Sequence, residues 1–265
     1  MNILHREFGW KYDIPTSNTA FSPQADFKLE YDINHADNNY IELPRSILRI
    51  RGVLAFSGVI VLCTITAVAV LAITLGLTFS TYNIKPAAIT ACSIIFMLYI
   101  TIPYIRMDIS HPRDTPIRFN RHRRKVYFYE YKFDRLHPLG RENWGIKPVV
   151  YDWDDLTAEV YSIHAPMGYG GIIEKVMVSI RKPGTDEVLD RLFFADDIEK
   201  GKQYWAIVTL FMQEGLEALP EFSYPPTDWS KEPSNPFERR APKVQWPAEM
   251  DLESRTAPSH EEQLP

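Results

Sequence analysis

Residues 53–79 read VLAFSGVIVLCTITAVAVLAITLGLTF and form the first of two long apolar blocks. The sequence holds no Asp, Glu, Lys or Arg from Gly52 to Ile84, and none from Pro86 to Ile105. About 20 apolar residues in a helix are enough to cross the hydrocarbon core of a bilayer. Soluble core helices of this length usually carry a charged face, so two buried helices of a soluble protein are the less favoured interpretation. The blocks predict two membrane-spanning helices, at residues 53–79 and 87–105.

The basic residues that flank the two blocks predict how the helices are oriented. Only Lys85 lies between the blocks, whereas three arginines precede the first block and a cluster of basic residues follows the second: Arg45, Arg49, Arg51; Arg106, Arg113, Arg118, Arg121, Arg123, Arg124, Lys125. Basic residues stay on the cytoplasmic side of a membrane. We therefore expect a helical hairpin with both termini in the cytoplasm.

The apolar blocks contain no ionisable residue, which transport paths and proton relays usually need. Their hydroxyl groups, for example those of Thr64, Thr66 and Thr74, are expected to bond to the helix backbone or across the helix pair. The two cysteines, Cys63 and Cys92, both lie inside the blocks, so no cysteine-based metal site or disulfide is expected outside the membrane. The hairpin is interpreted as an anchor in the lipid bilayer.

The remaining sequence predicts an α+β domain after the hairpin. Short strands are expected at residues 117–119, 126–133, 149–153, 156–162, 172–181 and 188–195, and the stretch from Asp196 to Leu219 has helical periodicity that ends at Pro220. Asp196 and Glu199 fit a variant of the capping box. We divide the chain into an N-terminal cytoplasmic segment (1–44), a transmembrane hairpin (45–110), a PH-like cytoplasmic domain (111–220) and a Pro-rich tail (221–265), which we expect to be extended or disordered. Whether residues 1–44 complete the domain stays open at this point.

An antiparallel sheet closed by one C-terminal helix looks like a pleckstrin-homology-like (PH-like) module. Three features, Phe119-Asn120-Arg121, the stretch from Tyr151 to Leu156 and the two-span prefix, resemble an uncharacterised bacterial family of two-span inner-membrane proteins with a PH-like cytoplasmic domain. The resemblance covers about residues 43–219. Proteins of this kind are similar to ones encoded beside type VI secretion genes and their toxic effectors. The resemblance implies an immunity or accessory role and a location in the bacterial inner membrane.

The sequence shows few signs of catalytic chemistry. Asp152, Asp154 and Asp155 form an acidic cluster that could serve acid–base chemistry or bind a cation, but their spacing also fits a corner between two strands, which we favour. The glycine-rich run from Met167 to Gly171 is followed by a strand, whereas a phosphate-binding loop needs a helix. We therefore expect no enzyme, no cofactor and no metal site. A hydrolase built on the acidic cluster is the weakest alternative.

The basic run just after the second span could contact nucleic acid or the surface of the membrane. The net charge of −5 argues against a nucleic-acid partner, because such proteins are usually basic. Basic residues close to a membrane exit favour contact with anionic headgroups, and the candidates are Arg118, Arg121, Arg123, Arg124 and Lys125. Two functions follow: an anchored domain that binds a protein, such as a secreted toxin, or a regulatory or scaffold protein that binds anionic lipid headgroups.

Overall fold

A computed structural model describes residues 7–15, 30–45, 51–78, 84–164, 171–185, 187–226 and 236–259. Arg49 and residues 167–170 of the glycine-rich run lie outside the described residues. The helices in this part of the chain are α1 (Val53–Thr78), α2 (Ile84–Ser110), α3 (Ile198–Glu214), α4 (Pro236–Arg240) and α5 (Ala248–Arg255). The strands are β1 (Trp10–Ile14), β2 (His35–Ala36), β3 (Tyr40–Leu43), β4 (Ile117–Asn120), β5 (Lys125–Phe128), β6 (Tyr131–Lys132), β7 (Gly145–Ile146), β8 (Val149–Asp152), β9 (Leu156–His164), β10 (Ile172–Arg181) and β11 (Val188–Ala195).

Helices α1 and α2 correspond to the two apolar blocks. Their segments Ala55–Leu75 and Ala91–Ser110 are long and apolar enough to cross a membrane. The two helices pack closely at Gly58, where an added Cβ would lie 2.7 Å from the side chain of Ile105. Helix α2 continues through Pro103 and ends at Ser110, five residues beyond the predicted end.

The hydroxyl groups in α1 behave as the sequence predicts. Thr64 and Thr66 each donate a hydrogen bond to the carbonyl oxygen four residues earlier, and Thr74 donates to the carbonyl of Leu71. These bonds satisfy the hydroxyl groups within the helix itself, so an otherwise apolar surface surrounds the backbone.

Two antiparallel sheets form the body of the domain. One has five strands in the order β2-β3-β4-β5-β8, and the other has four in the order β1-β9-β10-β11, while β6 and β7 form a small separate hairpin. The predicted strand at residues 126–133 is shorter in the structure, because β5 ends at Phe128 and β6 begins at Tyr131. The sequence predicts that Ile172, Val176, Val178 and Ile180 share the inner face of β10, opposite to Lys175, Ser179 and Arg181. Val176, Val178 and Ile180 are buried as predicted, whereas Ile172 is 58% exposed and Ser179 is also buried.

The strands that precede the helices belong to both sheets. β1 pairs with β9, and β3 pairs with β4 in the register Leu43↔Ile117 and Tyr40↔Asn120. Strand β3 comes before α1, and β4 comes after α2. The helix pair is therefore an insertion between two neighbouring strands of one sheet, and the segment before the hairpin supplies strands to the domain.

Helix α3 packs between the two sheets, with its limits slightly different from those expected. Asp197, not Asp196, caps its N-terminus by accepting hydrogen bonds from the backbone N–H groups of Glu199 and Lys200. The helix ends at Gly215, whose φ of +100° favours glycine, and not at Pro220. The helical periodicity predicts an apolar stripe of Tyr204, Ile207, Val208, Phe211 and Leu219. The first four are buried in α3, and Leu219 lies beyond the end of the helix, partly buried against the core.

One hydrophobic core joins the two sheets and α3. The Trp153 ring lies 5.1 Å from that of Trp205 in α3 and 5.9 Å from that of Phe119 in β4. The Trp205 ring also lies 6.0 Å from Phe194 in β11. Aromatic rings at these separations attract each other in addition to burying apolar area, so this cluster fixes how the sheets face each other.

Candidate functional site

The basic run forms the end of β4, a turn and the start of β5. Ile117 and Phe119 point into the core and are fully buried. Side chains alternate along a strand, so Arg118 and Asn120 point to the opposite face of the sheet. That face is covered by the C-terminal tail, which includes α5.

Arg118 lies beneath this tail and is 3% exposed. Its guanidinium forms a salt bridge with Glu42 of β3 and another, 2.7 Å long, with Asp251 of α5. It also donates a hydrogen bond to the Ser254 hydroxyl and lies 4.5 Å from the centre of the Trp246 ring. Arg118 therefore connects a strand before the hairpin to a helix near the C-terminus.

Other members of the run hold the same tail. Asn120 donates hydrogen bonds to the carbonyl oxygens of Ser254 and Thr256, and Arg123 donates to the carbonyl of Thr256. The Lys125 ammonium lies 2.8 Å from a carboxylate oxygen of Glu253. The end of α5 is thus attached to the basic run by side chains from two strands and the turn between them.

The last two candidates contact the domain itself. Arg121 donates a hydrogen bond to the carbonyl of Gln213 at the end of α3, and Arg124 forms a salt bridge with Asp154. The predicted headgroup residues are therefore engaged within the protein, and Arg118 is buried. This placement argues against the basic run as the membrane-contact surface.

The acidic cluster forms a corner between β8 and β9. Asp154 and Asp155 belong to a single 3-10 turn that follows Asp152, the last residue of β8. A hydrogen bond from Arg124 holds the pKa of the exposed Asp154 carboxyl below its usual value. Among the described residues, no group of three or more His, Cys, Asp or Glu side chains is placed to hold a metal ion.

A buried polar cluster fixes the base of the helix pair to the domain. The Asp108 carboxylate in α2 accepts hydrogen bonds from the backbone N–H groups of Gly52 and Ala55 at the start of α1. Arg51 donates to the backbone carbonyls of Asp108, His111 and Pro112. Asp108 is the first acidic residue after Glu42 in the sequence, and this position is the signal that could have identified it.

A second buried network lies next to this base. The Asp114 carboxylate is fully buried and accepts hydrogen bonds from the Asn34 side chain and the Arg45 backbone N–H. The Arg45 side chain donates to the carbonyls of Thr115, Phe193 and Tyr129. Burial raises the pKa of Asp114 to about 6, partly offset by these hydrogen bonds. Arg45, predicted only to orient the helices, therefore connects both sheets.

Residues 133–144, between β6 and β7, form a loop that lies along α2; we call it the helix-side loop. The Tyr99 hydroxyl donates a hydrogen bond to the carbonyl of Leu136. Arg106 donates 2.7 Å hydrogen bonds to the carbonyls of Pro138 and Gly140, and its guanidinium lies 4.3 Å from the centre of the Trp144 ring. Sequence reasoning missed this loop because it has no periodic pattern.

These features define a class: an α+β protein with two long apolar helices inserted between strands of an antiparallel sheet domain. The chain belongs to the Family of unknown function (DUF6708), whose sequence profile matches residues 94–237, slightly more than half of the chain. The prediction of an uncharacterised family is confirmed. No curated protein and no solved structure matches the chain. The matched region begins within α2 and ends within α4, so β1–β3, α1 and α5 lie outside it.

Proposed function

We propose that this is a non-enzymatic bacterial inner-membrane protein whose helix pair holds the sheet domain at the cytoplasmic surface, where the domain binds another protein. The pairing of β3 with β4 carries this proposal, because it makes both ends of the helix pair part of one sheet. The contacts of Asp108 and Arg51 add a second attachment. A domain attached in this way is held close to the bilayer.

The strand order supports a PH-like arrangement for this domain. Strands β3, β4, β5 and β8 are successive antiparallel neighbours in one sheet, and β9, β10 and β11 are successive neighbours in the other. Helix α3 follows them and packs against both sheets. The sequence predicts one antiparallel sheet closed by one helix; in the structure the strands are divided between two sheets, and the helix pair is inserted between β3 and β4.

Exposed apolar side chains at one end of the four-stranded sheet provide a surface for a protein partner. Phe8 is 87% exposed, and Ile173 near the start of β10 is 52% exposed, while its neighbour Ile172 points to the opposite face of the sheet. Ile173 pairs with Ile163 in β9, and Gly9 lies against the Ile163 side chain. Grouped exposed apolar residues of this kind are typical of protein-contact surfaces. The resemblance noted above supplies the partner class, a toxic effector of type VI secretion.

Growth measurements test this function. The toxic effector encoded beside the gene is produced in cells with and without this protein, and we expect the protein to restore growth. Ile173→Glu should remove this protection without lowering the amount of protein in the membrane, while Leu189→Glu, at a 58% exposed leucine in β11, should keep it. Equal inhibition with and without the wild-type protein would contradict the immunity role.

The alternative function, binding of anionic headgroups, needs a surface other than the basic run. Arg118, Arg123 and Lys125 hold the C-terminal tail, and Arg124 pairs with Asp154. Full-length protein in vesicles is the appropriate material, because a fragment that starts at Thr115 would lack β1–β3.

A further inference from the structure

The helix-side loop is attached to α2 by several independent contacts. Besides the hydrogen bonds from Tyr99 and Arg106, the Phe133 ring lies 5.8 Å from the Tyr104 ring of α2. The Trp144 ring lies edge-on to Phe133 at 5.2 Å, and its indole N–H donates to the carbonyl of His137. The loop is therefore packed on the helix, and its position relative to α2 is fixed by side chains.

The attachment places the loop at the level of the apolar segment of α2. Tyr99 lies within the segment Ala91–Ser110, seven residues before Arg106. At about 1.5 Å per residue, these two anchor points are roughly 10 Å apart along the helix axis. Since Tyr99 bonds to Leu136 and Arg106 bonds to Pro138 and Gly140, the loop extends along this length towards the centre of the helix.

The exposed surface of the loop combines apolar and basic side chains. Leu136 and Leu139 are 71% and 82% exposed, although both lie beside an apolar helix. The loop borders a cleft of about 820 Å³ whose lining includes Lys132, Arg135 and Lys147. Aromatic and basic residues are enriched at the level where a bilayer meets water.

Asp134, which also lines the cleft, stabilises the loop from within. Its carboxylate accepts hydrogen bonds from the side chains of His137 and Asn143 and from the backbone N–H of Leu136. The hydrogen bonds from His137 and Asn143 lower the pKa of Asp134 to about 2, so it is charged at neutral pH. Because the Asp134 carboxylate is hydrogen-bonded inside the loop, the basic side chains around the cleft make the cleft a suitable site for an anion.

We propose that this cleft and the helix-side loop form a binding site for an anionic phospholipid of the surrounding bilayer. Leu136 and Leu139 enter the acyl region, and Lys132, Arg135 and Lys147 contact the phosphate. Basic residues close to a bilayer are attracted to the phosphates of anionic lipids. The inference rests on the proposed membrane anchoring and gives the anionic-lipid alternative a specific site.

Depth-dependent quenching tests the apolar part of this site in the full-length protein. Cys63 and Cys92 are replaced by Ala, and single cysteines are placed at Leu139, Ile95 and Leu189 and labelled with an environment-sensitive fluorophore. The protein is reconstituted in vesicles of phosphatidylcholine and phosphatidylglycerol that carry a spin label on the acyl chain. Ile95, 66% exposed in α2, reports whether the helix lies in the bilayer, and Leu189, 58% exposed in β11, reports a position on the domain outside the helix-side loop.

We expect the labels at Ile95 and Leu139 to be quenched several-fold more than the label at Leu189. If the label at Ile95 is quenched but the label at Leu139 is quenched no more than the label at Leu189, the loop site is overturned and the anchoring is left intact. Absence of quenching at both Ile95 and Leu139 would overturn the anchoring and the loop site together.

A second measurement tests the basic part of the site. The spin label is carried either by phosphatidylglycerol or by phosphatidylcholine at the same fraction, and the former should quench the Leu139 label more strongly. The triple variant Lys132→Gln, Arg135→Gln, Lys147→Gln should lose this difference. The control triple variant Lys11→Gln, Lys182→Gln, Lys202→Gln, with the same loss of charge, should keep it. A difference that persists in the first triple variant, or that is lost equally in both, would overturn the headgroup contact.

Discussion

Asp108 caps a helix other than its own. Its carboxylate oxygens lie 3.0 Å and 3.1 Å from the Gly52 nitrogen and 2.9 Å from the Ala55 nitrogen, at the first turn of α1. The first N–H groups of a helix have no partner within the helix, and the helix dipole favours a negative charge at this end. Because Asp108 is 2% exposed, no water can readily replace it.

Asp108→Ala should destabilise the protein by about 2–4 kcal/mol, because it leaves buried N–H groups and Arg51 without this carboxylate. The measurement is denaturant unfolding of full-length protein in detergent micelles, followed by tryptophan fluorescence. Glu217→Gln, at an exposed carboxylate, should change stability by less than about 0.5 kcal/mol. Equal effects of the two substitutions would contradict the capping role.

His111 and Asp114 lie three residues apart and respond to acid in opposite ways. Burial lowers the pKa of His111 from 6.5 to about 4, and burial raises the pKa of Asp114 from 3.8 to about 6. As pH falls below about 6.5, unfolded His111 binds a proton before the folded form does, and stability is lost until about pH 4. Below about pH 6, folded Asp114 binds a proton first, and stability is gained.

Substitution at each position should therefore reveal the contribution of the other residue. Between pH 7 and pH 5, wild-type protein should lose about 2 kcal/mol through His111 and regain about 1 kcal/mol through Asp114. Asp114→Asn should steepen the loss on acidification, and His111→Phe should reduce or reverse it. Melting temperatures of the three proteins at both pH values measure this, and parallel shifts in all three would contradict the assignment.

At the scale of elements, the C-terminal tail covers one face of the five-stranded sheet. The tail contacts the protein through α5 and through Trp246, whose ring lies 5.0 Å from that of Tyr129. Arg113, beyond the end of α2, donates hydrogen bonds to the carbonyls of Glu238 and Arg239. The Pro-rich composition predicts an extended segment, but α4 and α5 form because polar side chains of the sheet and of the segment after α2 supply partners for the tail.

Asp251→Ala should loosen this tail by removing the salt bridge to Arg118, and the loss of a charged hydrogen bond costs about 1.5–3 kcal/mol. Trypsin cleavage at Lys243 and Arg255 should become about 10- to 100-fold faster, because cleavage follows the local opening of the tail and each 1.4 kcal/mol is about a factor of ten. Glu249→Ala provides a matched control on the same helical turn, and its cleavage rate should resemble that of wild type. A change of similar size in both variants would show that Asp251 has no specific part in docking.

At the scale of the whole molecule, periodicity predicted local elements but not their partners. The apolar blocks predicted α1 and α2, and the alternation of apolar and polar residues predicted β10 and most of its buried face. The sequence predicts Arg118 at the membrane surface, because nothing near it in the sequence points to its actual partners. Glu42 lies 76 residues earlier and Asp251 lies 133 residues later. The helix-side loop depends in the same way on contacts between distant segments, which no local pattern encodes.

The whole-molecule arrangement also predicts topology independently of charge. Since β3 and β4 pair, both ends of the helix pair lie beside the domain, and we expect both to emerge on the same side of a bilayer as the domain. In cells of a variant with Cys63 and Cys92 replaced by Ala, a cysteine at Ser80 should react with a membrane-impermeant maleimide, and one at Lys182 should not. Labelling at Lys182 alone would reverse the orientation, and labelling at both in intact cells would contradict the anchoring.

The position of the helix pair within the sheet also has a consequence for biogenesis. A ribosome releases β3 long before β4, and both helices are made between them. If the chain between β3 and β4 were a flexible loop, closing it would cost entropy. Two packed antiparallel helices in a membrane instead bring the start of α1 next to the end of α2. With the proposed anchoring, insertion of the helix pair would therefore bring β4 to β3, and we expect this sheet to assemble after the chain has reached the membrane.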